Sequence, residues 1–219
     1  SWAVCGVFCV SRNLEEKLKN RGLPYSTITK FIPSGVKIPN YYVNDFTSLR
    51  IVFVGRLEIR QKQIVKTVQA LCKATKLLPN SSVTIFGDGP HNNDVRRIIH
   101  TEDCNETIKI EGPIEQDQIQ ERISNHNIIV LLSDYEGTPG AIMDAMAVGI
   151  VPVCLKCPGG IEELVIDNKT GLLANDRSES FFEKLSLLSQ NTKLFENLSM
   201  AARKHVIDNY SLHKSVKKW

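Results

Sequence analysis

A chain of 219 residues with 42% hydrophobic and 23% charged content can bury the core of one ordinary domain with an appended piece, which sets aside the disordered and fibrous classes. The formal net charge of +3 is too small to point to nucleic acid; it suits an anionic ligand or, at most, weak contact with an acidic lipid surface. The apolar run at 4–10 is far shorter than a membrane span and no basic segment precedes it, so neither a spanning helix nor a signal peptide is expected, and a chain beginning with Ser1 reads as starting inside a longer protein.

Short apolar runs rich in β-branched residues alternate with helical periods, the pattern of repeated strand–helix units around a parallel sheet. The run at 4–10 is a first strand. A helix follows, with Asn13 and Glu16 in capping-box spacing and Gly22 as its stop. A second strand is expected over 27–32. Pro33, Gly35 and Pro39 then break the pattern, so residues 34–49 read as a linker and 1–33 as the tail of a preceding domain. The main domain, 50–190, opens with a strand at 51–54 ending on Gly55. A helix over 61–77 follows, with Ile64, Val68, Leu71, Cys72 and Thr75 on one face. Next come a strand at 83–86, the turn Gly87-Asp88-Gly89-Pro90, and a helix to about residue 99. A strand at 108–110, ended by Gly112-Pro113, leads to a helix over 115–124. The continuous apolar run 128–132 predicts a strand buried on both faces. A helix over 140–148 stops at Gly149, a strand follows at 151–154, Gly159-Gly160 opens another helix, and Leu172-Leu173 marks a last strand. Ser180 and Glu183 have capping-box spacing for a helix presenting Phe181, Leu185 and Leu188. Residues 191–219 continue as helix, largely solvated, with Lys214, Lys217 and Lys218 available to a membrane surface. No internal repeat is present.

The six cysteines lie mostly in apolar runs, where a thiol acts as a small hydrophobe, and a reduced, cytosolic compartment is expected, with the cytoplasmic face of a membrane as the alternative. Cys154 and Cys157 form a C-x-x-C, but no second pair follows, so two buried thiols are expected in preference to a metal or redox site.

Ligands of an open parallel sheet bind beyond the carboxyl ends of its strands. Arg56 directly follows a strand and Lys62 lies six residues on, at the expected helix start; a guanidinium and an ammonium there can converge on one phosphate. Residues 133–140 lead from a buried strand into a helix. Their amides point out of a helix start, Gly137 and Gly140 permit close approach, and Pro139 suits the first turn. Glu136 and Asp144, eight residues apart, can accept hydrogen bonds from sugar or ribose hydroxyls, although a helix carboxylate such as Asp144 is equally read as an exposed residue. No Gly-Lys-Ser/Thr makes this a P-loop, and no G-x-G-x-x-G supports a dehydrogenase.

The run from Glu136 through Gly-Thr-Pro-Gly-Ala-Ile-Met to Asp144, continuing Ala-Met-Ala-Val-Gly-Ile-Val-Pro-Val153, resembles the acidic signature of retaining GT-B glycosyltransferases of the group 1, or family 4, kind. Five further motifs follow the same family in order: Ile32-Pro-Ser-Gly-Val36, Val54-Gly-Arg-Leu-Glu-Ile-Arg-Gln-Lys62, Phe86-Gly-Asp-Gly-Pro90, Gly159-Gly-Ile-Glu-Glu163 and Thr170-Gly-Leu-Leu173. The resemblance implies a Rossmann-like, doubly wound parallel sheet forming the C-terminal, donor-binding half of a GT-B fold. It implies that Arg56 and Lys62 grip the diphosphate of a UDP- or GDP-linked sugar, that Glu136 meets the donor sugar, and that the segment Gly137, Thr138, Pro139 and Gly140 binds the donor, its amides adding hydrogen bonds. Asp144 would hold the ribose, Gly55, Gly87 and Ile114 would line the nucleotide, and Glu163 would support its helix and loop. No metal or other cofactor is implied. The partners implied are the nucleotide-sugar donor, a missing N-terminal acceptor domain, and a glycan or lipid acceptor. Two departures stand out: Asp144 replaces the family's Glu, and most of the acceptor domain is absent, so transfer by this chain alone is expected to be inefficient. A sugar phosphorylase, a nucleotide-sugar epimerase and a non-catalytic scaffold of the same fold are the alternatives. The glycosyl-donor reading requires position 56 and the turn after 136 to meet at one pocket.

Overall fold

The computed structural model describes residues 6–21 and 28–217; the expectations for Val4, Cys5, Gly22, Thr27 and Lys218 fall outside them. A parallel pair, β1 (Gly6–Cys9) and β2 (Ile28–Phe31), brackets α1 (Arg12–Asn20). Ser11, not Asn13, caps α1. The cap needs an extended backbone and a side-chain oxygen within reach of the third helical amide; Ser11 has φ −136° and accepts the Leu14 amide at 3.2 Å, while Asn13 already lies inside the first turn.

The body is a six-stranded sheet of β3 (Leu49–Val54), β4 (Ser81–Phe86), β5 (Ile108–Gly112), β6 (Ile128–Leu131), β7 (Val151–Leu155) and β8 (Leu172–Ala174). All of its pairings are parallel and the order is β5-β4-β3-β6-β7-β8. Side chains alternate between the faces with a period of two. Ile51, Phe53, Ile128, Val130, Val151 and Val153 enter one core, whereas Val52, Ile129, Leu131 and Cys154 enter the other. Every residue of β6 and β7 is buried, as expected for central strands covered on both sides.

On the first face lie α2 (Ile64–Leu77), α3 (Asn92–Thr101) and α7 (Glu179–Gln190). On the second lie α4 (Ile119–Ile123), α5 (Gly140–Ala147) and α6 (Ile161–Leu164). The single helix expected over 115–124 is a 3-10 turn at Gln116–Gln118 followed by α4. Only Ile119 and Ile123 are buried there, so the apolar stripe anchors little more than one turn. The Ser180–Glu183 box does not form. Ser180 lies inside α7 and accepts the Asn175 amide at 3.0 Å, while Asp176 Oδ1 takes the Ser178 and Ser180 amides at 2.7 and 3.2 Å. Gly149, with φ +79°, ends α5 as read from sequence: its amide and that of Ile150 close back onto Met146 and Ala145.

The tail corrects an expectation. In α8 (Thr192–Tyr210), Phe195, Leu198, Ala202, Val206 and Tyr210 are buried, so this helix closes both cores instead of lying solvated; α9 (Leu212–Val216) follows. Residues 34–49 are laid along the body. Val36 exchanges bonds with Tyr210 and Leu212 at 2.8 and 3.0 Å, and the Val43 amide reaches the Val148 carbonyl at 2.8 Å. Cys154 and Cys157 are free and buried, and burial pushes both thiols up, Cys157 to about 11. Among the described residues no helix is long and apolar enough to cross a membrane.

Candidate functional site

Strand order reverses between β3 and β6, the neighbours from which the chain leaves in opposite directions, so the loops after them border a crevice at the sheet's carboxyl edge. The loop after β3 is held against the loop after β4 backbone to backbone. The Gly55 amide reaches Phe86 O at 3.0 Å, Leu57 N reaches Asp88 O at 3.0 Å, and Gly87 N reaches Gly112 O at 2.7 Å. At Gly87, φ is +154° and an added Cβ would stand 1.9 Å from the Gly55 carbonyl oxygen, which excludes any other residue.

Glu58 folds the rest of this loop by accepting the Arg60, Gln61 and Lys62 amides at 2.7, 2.9 and 2.8 Å. Burial raises its pKa, but those amides and the Arg56 charge outweigh it and hold the carboxyl below its ordinary range. Because Glu58 takes these amides and Gln63 turns left-handed at φ 49°, α2 starts only at Ile64. Lys62 therefore sits in the loop, not in the first helical turn expected for it.

From there the Lys62 ammonium crosses the crevice to Glu136 Oε1 at 2.6 Å, with the two side chains 17% and 6% exposed. Gln61 reinforces the crossing by donating to Tyr135 O at 3.0 Å and Glu136 Oε2 at 3.3 Å, and its carbonyl takes the Asp134 amide at 2.9 Å. Asp134 is held by Gln63 Nε2 at 2.6 Å and by the Arg177 guanidinium, which also donates to Leu132 O. Burial pushes the Asp134 pKa up, and the Arg177 and Gln63 bonds reverse this and bring it down. On its other side Glu136 pairs with the turn before α6: its amide donates to Pro158 O at 3.1 Å and its carbonyl accepts from Gly160 N at 3.1 Å.

Beyond Glu136 the chain runs over the exposed Gly137 to Pro139, which is the residue before the helix (φ −72°, ψ 110°) and not part of its first turn. The amides of Gly137, Thr138, Gly140 and Ala141 donate to nothing among the described residues, while the Ile142 amide returns to Pro139 O. Free amides at a helix start form a receptive site for an anion. The Thr138 hydroxyl turns away, to Val10 O at 2.6 Å.

Asp144 is buried in α5, not exposed on it. Its oxygens accept Gln120 Nε2 at 3.0 Å and Gln116 Nε2 at 3.1 Å, and burial raises its pKa against the pull of those bonds. It borders a cavity of about 500 Å³ together with Gly140, Met143, Lys37, Gln116 and Gln120. Arg56, Lys62 and Glu136 are not in this lining; Gly140 joins the cavity to the loop that carries Glu136. Arg56 is exposed, its carbonyl takes the Glu58 amide at 3.0 Å while its guanidinium makes no hydrogen bond or ion pair to a described residue, and Ile114 packs half-buried against the second core. Glu163, expected to support its own helix and loop, has its carboxylate at the start of α1, where it takes the Arg12 and Asn13 amides at 3.0 and 2.8 Å. Glu58, Gln61, Gln116, Gln120 and the Asp134–Arg177 pair were not singled out from sequence, where only the adjacency of Glu58 and Gln61 to Lys62 could have marked them.

The family model for glycosyl transferases group 1 matches residues 42–205. The amylovoran biosynthesis glycosyltransferase AmsK of Erwinia amylovora is 31% identical over 75% of this chain and 42% of its own length. An exopolysaccharide phosphotransferase of Streptomyces coelicolor is 28% identical over 84% of the chain and 19% of its own length. An S. aureus TarM mutant, solved with fondaparinux, alpha-GlcNAc-glycerol and UDP, superposes with a TM-score of 0.87 at 21% identity, covering 98% of this chain and 43% of that one. The chain thus spans less than half the length of these proteins.

Proposed function

Because the chain belongs to the group 1 glycosyl transferases, we propose that it is the donor-binding part of a retaining enzyme that moves a sugar from a nucleoside diphosphate to a glycan or lipid acceptor. The observation that carries the reading is the Lys62–Glu136 contact at 2.6 Å, which draws a cation and a carboxylate together over the switch point beside a row of free amides. In this reading Arg56, whose guanidinium makes no hydrogen bond or ion pair among the described residues, and Lys62 neutralise the diphosphate as it leaves. The amides of Gly137, Thr138, Gly140 and Ala141 donate hydrogen bonds to it. Lys62 exchanges part of its bond to Glu136 for phosphate, which frees the carboxylate for donor-sugar hydroxyls. Gly55 and Gly87 keep the strand ends low enough for the nucleotide, Ile114 borders the base, and Asp144 lies on the ribose side. These cations do the electrostatic work, so the reading needs no metal. The acceptor site belongs to a preceding domain, and the enzyme works in the cytoplasm. UDP in the TarM structure supports a uridine or similar nucleotide.

Calorimetric titration of the folded chain with UDP, GDP and ADP tests this. At least one should bind saturably at millimolar concentration or below. Arg56→Ala should weaken that binding about tenfold, the effect of losing one charge-assisted hydrogen bond, while Arg60→Ala should leave it unchanged. Absence of binding by all three would remove the proposal.

A further inference from the structure

Asp144 is 8% exposed, and each of its carboxylate oxygens already accepts one glutamine amide: Oδ1 from Gln120 at 3.0 Å, Oδ2 from Gln116 at 3.1 Å. An ionised carboxylate only accepts hydrogen bonds, so each glutamine must present its NH2 group to Asp144. This fixes both amide planes. Gln120 has spent its second N–H on Lys37 O at 2.9 Å, leaving its Oε1 as the free polar atom; Gln116 keeps Oε1 and one N–H. Both glutamines line the cavity of about 500 Å³, a volume in the range of small-molecule sites. They are also stepped in depth, with Asp144 buried, Gln120 half-buried and Gln116 exposed.

Building on the nucleoside diphosphate reading above, we infer that ribose hydroxyl recognition in this cavity is carried by the amide groups of Gln116 and Gln120, which Asp144 orients from beneath, and not by the Asp144 carboxylate itself. The physical reason is reach. An aspartate is about 1.5 Å shorter than a glutamate, one carbon–carbon bond. Two glutamines anchored on it bring acceptor oxygens outward to the depth that the shorter side chain gives up. Burial raises the Asp144 pKa and the two amide bonds pull against that rise, so the same bonds that align the amides favour the charged carboxylate. A vicinal diol suits such a pair, since its two neighbouring hydroxyls can donate to the amide oxygens of two glutamines held on one carboxylate.

The experiment is a calorimetric comparison of the diphosphate that binds best with its dideoxy counterpart, which lacks both ribose hydroxyls. It uses the native chain and the Gln116→Met, Gln120→Met and Asp144→Asn variants, each checked for native circular dichroism. The native chain should prefer the ribonucleotide about tenfold, the worth of one to two hydrogen bonds. Each methionine variant should reduce that preference about threefold while leaving dideoxy affinity unchanged, a selective effect that a merely structural role would not produce. Gln116, exposed at the cavity mouth, is the variant least able to disturb folding. If the ribonucleotide preference survives in both methionine variants and disappears in Asp144→Asn, the carboxylate makes the contact and the inference fails with the donor reading intact. If no diphosphate binds the native chain, the donor reading fails and takes this inference with it.

Discussion

Gly159 is where backbone geometry and the candidate site are most tightly joined. Its φ is +125°, and a Cβ built on it would lie 1.5 Å from the carbonyl oxygen of Glu136 and 2.7 Å from its carbonyl carbon. Both atoms are backbone, so no rotamer change can relieve the overlap. Gly159→Ala therefore requires the turn before α6 and the loop carrying Glu136 to separate, which strains the bonds from Glu136 N to Pro158 O and from Gly160 N to Glu136 O. A non-glycine residue held at positive φ costs about 1–2 kcal/mol, and forced overpacking costs about 1–3 kcal/mol more. A loss of about 3 kcal/mol should lower the melting midpoint of a chain this size by roughly 6–12 °C. Gly140→Ala is the control: an added Cβ there meets nothing within 4 Å, and in the first turn of α5 alanine should be neutral or stabilising by up to about 1 kcal/mol. Differential scanning calorimetry of the two variants reads the contrast. Equal midpoints for both would refute the argument that the Glu136 loop is positioned by close approach at Gly159.

Two further outcomes follow from the electrostatics. Lys62→Met should destabilise by about 3 kcal/mol in urea titration because it strands a carboxylate that is 6% exposed, and adding Glu136→Gln should recover most of that loss; a strictly additive pair would refute the coupling. The two aspartates of the site should respond to pH in opposite directions. The folded pKa of Asp134 is lowered, so its contribution is full above the ordinary aspartate range and lost as pH falls through the folded value; Asp134→Asn should destabilise near neutrality and converge on the native chain in acid. The folded pKa of Asp144 is raised, so ionising it counts against the fold; relative to the native chain, Asp144→Asn should gain as pH rises from the ordinary aspartate value through the folded one. Denaturation midpoints from about pH 3 to 7 check both, and slopes of the same sign would contradict the assignment.

Hydrophobic periodicity carried most of the fold. The buried run of β6, the face of α2 and the stop at Gly149 were readable because each depends on neighbours within one or two turns of chain. Helix starts were less readable. Ser11 and Asn13 both have side chains able to cap, and the choice rests on which backbone is extended; the start of α2 was displaced by Glu58, whose capture of three amides has no periodic signal. In the site, Glu136 and the free amides beyond it could be anticipated from a strand running into a helix, and Lys62 from its spacing after β3. Their contact joins residues 74 apart, and the glutamines above Asp144 lie 24 and 28 residues away. Such pairings are decided by how β3, β6 and α4 stack, which no local pattern records. The tail was misjudged because its helix buries residues into two cores at once, blurring the single stripe expected of an amphipathic segment.

The long-range cap on α1 bears on how this protein can be trimmed for study. A shortened version beginning after Pro33 would look conservative, since residues 34–49 mark an obvious break. Yet it would strip the Glu163 carboxylate of the Arg12 and Asn13 amides and deprive the Thr138 hydroxyl of Val10 O. Two side chains flanking the Glu136 turn would be left to solvent, and affinities measured on that excised half would describe a differently tethered loop.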